Sequence, residues 1–153
     1  MERVRNPGRA TSPMLVTPIA TLAALAVALV VWPHLLVETS FGDFILVSLI
    51  LGGATAWRTG QAVARSWGSF WNLVAYVVLL AGAVRFCHFA LFEDTLFSLQ
   101  HFVMEFLLLM AVAALGFRFV RRQQMTAQYG WMFEAHGPFA WRERSGDAPG
   151  DAL

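Results

Sequence analysis

The chain has 153 residues, 58% of them hydrophobic and only 14% charged, with a formal net charge of +1. That balance excludes an ordinary soluble domain, and basic residues this few and scattered exclude a nucleic-acid binder. A single cysteine, Cys87, excludes an internal disulfide and a thiolate-rich metal site.

A bilayer core of about 30 Å needs about 20 apolar helical residues. After an N-terminal arm (1–13), four stretches meet or approach that length, at about 14–37, 44–64, 69–92 and 95–120. They make a transmembrane domain over 14–122. The first carries no charge and holds Pro18 near its start and Pro33 near its end, where helices tolerate proline best. The second reaches a spanning length if its helix continues past Arg58 and that side chain snorkels to the headgroups. The third is interrupted by Arg85 and His88. The fourth is polar in its first half and apolar from Phe106 to Phe117.

The basic residues are all arginine, and they alternate between linkers. Arg3, Arg5 and Arg9 precede the first span, Arg58 and Arg65 lie by the second linker, and Arg118, Arg121 and Arg122 follow the fourth span. The other two linkers hold Glu38 and Asp43, then Glu93 and Asp94, with no arginine. The positive-inside rule then places both termini in the cytoplasm. Trp32, Trp57, Trp67 and Trp71 fall where an aromatic belt would lie. The first segment also fits a secretory signal peptide, but it is longer than a usual signal core and lacks an A-x-A-like cleavage site. An uncleaved anchor is expected; cleavage would leave three spans and the same C-terminal side.

The tail divides in two. Residues 123–144 interleave Tyr129, Trp131, Met132, Phe133, Phe139 and Trp141 with polar residues, which suits a segment ordered on the cytoplasmic membrane face or on a partner. Residues 145–153 have the composition of a disordered end.

Two constellations carry the chemistry. Ser48, Gly52, Ala56, Gly60 and Ala64 recur at four-residue spacing, a smooth stripe that lets another helix approach closely. That helix belongs either to this chain or to another subunit. The second constellation is polar. An arginine inside a membrane span costs about 2.5–3.5 kcal/mol, so Arg85 and Glu105 on neighbouring spans suggest a partnered pair. Folding spans three and four about Glu93 and Asp94 brings their depths together. His88 lies three residues from Arg85, and His101 four from Glu105, so each pair shares a helix face.

The leading expectation is an Arg85–Glu105 ion pair that fixes the register of the hairpin. Against it stand a polar site for a ligand, a proton or a partner's charge, and a single charge facing a partner helix. Haem ligation by His88 and His101 needs more room than a tight hairpin leaves. Metal binding by His88, His101 and Glu105 lacks a fuller ligand set. Cys87 and His88, adjacent on a helix, point about 100° apart and make a poor catalytic dyad. There is no nucleotide-binding loop and no nucleophile elbow.

From Glu38 to about Arg144 the chain carries a set of distinctive strings: Glu38-Thr39-Ser40-Phe41, Leu51-Gly52-Gly53, Ala83-Val84-Arg85-Phe86 with His88-Phe89-Ala90-Leu91-Phe92, Ala113-Ala114-Leu115-Gly116, Gln128-Tyr129, Trp131, Gly137-Pro138-Phe139 and Trp141-Arg142. On these the chain resembles a family of small bacterial inner-membrane proteins known as a domain of unknown function. Its members look like three-helix proteins, often encoded beside branched-chain amino-acid ABC transporter genes in alphaproteobacteria. The resemblance implies an accessory role near that importer. Arg85, His88 and an acid at 105 fit the family pattern, and the first span lies outside the matching region.

The expectation is therefore an all-α integral membrane bundle of four helices in the bacterial inner membrane. It would be non-enzymatic, with no cofactor, and would contact lipid and other membrane subunits. The alternative is a small ligand-, quinone- or proton-handling site built on Arg85, His88, His101 and Glu105.

Overall fold

The computed structural model describes residues 13–37, 40–92 and 98–143. Residues 1–12 of the N-terminal arm, Glu38 and Thr39, residues 93–97 at the start of the fourth span, and residues 144–153 lie outside the described residues. Four helices follow in order: α1 (Pro13–Val31), α2 (Phe41–Arg65), α3 (Phe70–Phe92) and α4 (Leu99–Gln128). Helices α2, α3 and α4 are long and apolar enough to cross a membrane, whereas α1 is a shorter apolar helix.

The first span does not run unbroken to residue 37. Proline at position 33 clashes with an α-conformation in the residue before it, and Trp32 turns to φ −134°, ψ 71°. The helix stops at Val31 and a 3₁₀ turn covers Pro33–Leu35. Helix α2 starts on a cap: Ser40 has extended backbone angles and its side chain accepts from the Gly42 amide at 3.2 Å. Its first part, Phe44–Gly52, is wound as a π-helix.

At its other end α2 closes in a Schellman motif. Trp67 takes the left-handed conformation (φ 57°), and the Trp67 and Gly68 amides donate to the carbonyls of Ala64 and Val63. Glycine is the usual residue there, and a side chain costs about 1–3 kcal/mol in strain. Arg121 stacks on the Trp67 ring at 4.7 Å and donates to the Gly68 carbonyl, while Gln124 donates to the carbonyl of Ala64. Side chains of α4 thus satisfy the open end of α2 and hold the tryptophan in place.

Lipid offers no hydrophobic drive for helices to associate, so close van der Waals packing has to do it. Helices α2 and α4 meet on small residues: Ala56, Gly60 and Ala64 face Ala113 and Gly116. The core between α2, α3 and α4 is completed by Val47, Val63, Leu73, Val77, Val84 and Leu109. A second cluster, Leu25, Leu36, Phe44 and Leu108, ties α1 to α2 and α4.

The tail departs from a purely helical chain. Helix α4 continues eight residues past Val120, and strands β1 (Phe133–Ala135) and β2 (Trp141–Glu143) then pair antiparallel, with Glu134 opposite Arg142. Gly137, at φ 82°, lies in the connecting turn. The hairpin packs on its own chain. Phe139 meets Trp57 and Phe119, its carbonyl accepts from Arg118 Nε at 3.2 Å, and Trp141 lies under the Arg118 guanidinium.

Candidate functional site

Ser48, Arg85 and Glu105 sit six or seven residues in from the same end of their helices, measured from Phe41, Phe92 and Leu99. At 1.5 Å per residue that is about 10 Å below the helix ends. All three are buried, and so is His88. Together with His101, half-buried at the start of α4, they line one small cavity that Asp43 and Ser40 also border.

The contacts centre on Ser48, which is 1% exposed. Its hydroxyl donates to Glu105 Oε1 at 2.5 Å and lies 2.9 Å from His88 Nε2. A hydroxyl has one proton to give. With that proton directed at the carboxylate, the His88 contact requires Nε2–H to donate to Oγ. The order is therefore His88 Nε2–H to Ser48 Oγ–H to Glu105 Oε1, joining α3, α2 and α4. The Oγ–Oε1 distance falls in the charge-assisted range of about 2.5–2.7 Å. His88 Nε2 and Glu105 Oε1 are themselves 3.9 Å apart. His101 is held by Ser98, whose hydroxyl is 2.6 Å from Nδ1.

This arrangement differs from that of a hydrolytic serine. A nucleophilic serine gives its proton to a histidine acting as base, whereas here the Ser48 hydroxyl is directed at the Glu105 carboxylate. The cavity volume, about 20 Å³, leaves room for about one water, at 10–15 Å³ of probe-occupied volume each. A quinone or a haem does not fit it as it stands.

Arg85, His88, His101 and Glu105 thus share one cavity, and the structure adds Ser48 to them. In the sequence Ser48 is one of the five small residues of the stripe. The signal that could have separated it was its depth, seven residues from the end of its helix, like Arg85. The stripe itself is turned inward. A Cβ on Gly60 would stand 2.0 Å from the Ala113 carbonyl oxygen, and one on Gly116 would stand 2.5 Å from that of Trp57. Cys87 is half-buried against the core of α2, α3 and α4.

A family model described as Domain of unknown function (DUF6867) matches residues 39–144. The chain belongs to this family. The DUF6867 region takes in α2, α3, α4 and the hairpin, and with them every residue of the polar cluster. Helix α1 lies outside it. No curated protein and no solved structure matches the chain.

Proposed function

We propose that this protein is a non-enzymatic accessory subunit of a bacterial inner-membrane complex, with its polar cluster serving to lock three membrane helices together. The observation that carries the reading is that the bonds of the cluster cross three helices. His88, Ser48 and Glu105 bond one another around space for about one water, which suits a structural network better than a substrate site. Contacts with partners then fall to the surface. In the turn between α4 and β1, Trp131 is 73% exposed beside exposed Tyr129 and Met132, next to a hairpin anchored to the helix bundle.

The arginine distribution supports four spans, with both termini cytoplasmic, as set out from the linkers. The resemblance to proteins encoded beside branched-chain amino-acid ABC transporter genes makes such an importer the first candidate partner. The test is purification from native membranes in mild detergent. Larger membrane subunits in fixed stoichiometry are expected; a lone chain carrying a small molecule other than a membrane lipid would contradict the reading.

A second reading rests on the bonded chain of His88, Ser48 and Glu105, which resembles a short proton path. Under it, Glu105→Gln would leave assembly intact and abolish a proton-coupled activity of the complex; under the first reading that activity survives.

A further inference from the structure

A second cavity, of about 350 Å³, opens between the start of α1 and helices α3 and α4. That is the size of a small-molecule site, about 300 Å³ or more. It has two unlike ends. At one, Arg118 and Arg121 line the wall together with Ser69, just before α3, and Trp141. At the other, an adjoining hollow of about 150 Å³ continues between α1 and α4 as far as Leu107, Met110 and Ala111. Thr17, Pro18, Phe70 and Ala114 line both.

We infer that this groove holds one anionic phospholipid from the leaflet on the arginine-rich side, its phosphate on Arg118 and Arg121 and an acyl chain along the apolar floor. Charge complementarity is the first argument. Two arginines line the mouth, and no carboxylate is among the described residues lining either hollow. Arg118 is buried, so its charge has an anion to gain where water is scarce. Both guanidinium groups are already oriented. Their faces lie on Trp141 and on Trp67 with Phe117, and each directs one N–H at a backbone carbonyl. A guanidinium carries five such donors, in a fork that suits phosphate oxygens. The N-terminus of α3, capped by Ser69 on the Asn72 amide at 3.3 Å, adds the positive end of a long helix at the same place.

Length selects a lipid over a free anion. From Arg118 to Leu107 the floor spans eleven residues of α4, about 16 Å. One leaflet of a bilayer is about 15 Å deep in hydrocarbon. Phosphate alone would leave that apolar floor empty.

Native mass spectrometry of the full chain in mild detergent tests this, with added phosphatidylglycerol, phosphatidylcholine of the same acyl chains, or inorganic phosphate. One phosphatidylglycerol per chain should be retained, about tenfold or more over phosphatidylcholine, and excess inorganic phosphate should not displace it. Arg118→Gln with Arg121→Gln should remove that preference. Ala114→Leu, which narrows the groove and leaves the charges in place, should lower retention of both lipids. Arg58→Gln, an exposed arginine outside the groove, should change nothing. Equal retention of the two lipids, full displacement by phosphate, or an equal effect of Arg58→Gln would overturn the inference. If the double arginine variant fails to fold, Ala114→Leu decides alone: a lipid-loaded variant refutes the site.

Discussion

Ser48 bridges the polar cluster, because its hydroxyl contacts both His88 Nε2 and Glu105 Oε1, which are themselves 3.9 Å apart. Ser48→Ala would keep the small size that the stripe needs and remove only the hydroxyl. If the residue served packing alone the change would be neutral. With the hydroxyl bridging His88 and Glu105, the loss should be about 1–3 kcal/mol, the cost of leaving buried polar groups without a partner. Thermal unfolding of the purified variant in detergent, against Ala56→Ser as a control for polarity in the stripe, measures it. The charges at 85 and 105 announce themselves in a sequence because an apolar span makes them costly. A serine does not, and the regular four-residue spacing gave Ser48 another explanation. Its bonds depend on which face α2 turns toward α3, and the π-helical winding of Phe44–Gly52 leaves no mark in an unbroken apolar run.

Among the elements, the contact of α2 with α4 is the most exacting. The Cβ added by Gly60→Ala would meet backbone, the Ala113 carbonyl and the Phe117 amide, neither of which can rotate away. The helices must part, and we expect a loss toward the upper end of the usual 1–3 kcal/mol for overpacking. Gly82→Ala is the counterpart: on α3 nothing lies within 4 Å of the new Cβ, and removing a mid-helix glycine should stabilise by about 0.5–1 kcal/mol. Unfolding midpoints for the two variants should move in opposite directions. Apolar runs made α2, α3 and α4 legible from composition. The early stop of α1 was legible too, since Pro33 restricts Trp32, but hydropathy continues past the proline and outweighs it. The hairpin was not. Its strands are three residues each, too short for a periodic signal, and what holds them is tertiary: Phe139 against Trp57 and Phe119, and Arg118 over Trp141.

For the whole molecule, the proposed topology follows from the arginine asymmetry, and helix lengths alone do not fix it. Reporter fusions after Val120 should be active only for a cytoplasmic reporter, and those at Glu93 only for an external one; reversal at either site would refute N-in, C-in. A fusion at Glu38 tests whether α1 crosses. The central claim is that the buried polar cluster is a lock between helices and that partners bind elsewhere. Its most direct test replaces the cluster as a unit, with Ser48→Ala, Arg85→Leu, His88→Leu and Glu105→Leu in one chain. Single removals such as Glu105→Leu leave charged or polar neighbours stranded and should cost about 3–5 kcal/mol, whereas concerted apolar replacement can be nearly neutral. The measurement is the set of subunits that co-purify with the fourfold variant from native membranes, beside its yield of folded protein. The account predicts a folded variant that brings down the same subunits as the wild type; a folded variant that loses them would show that the cluster itself is the functional site.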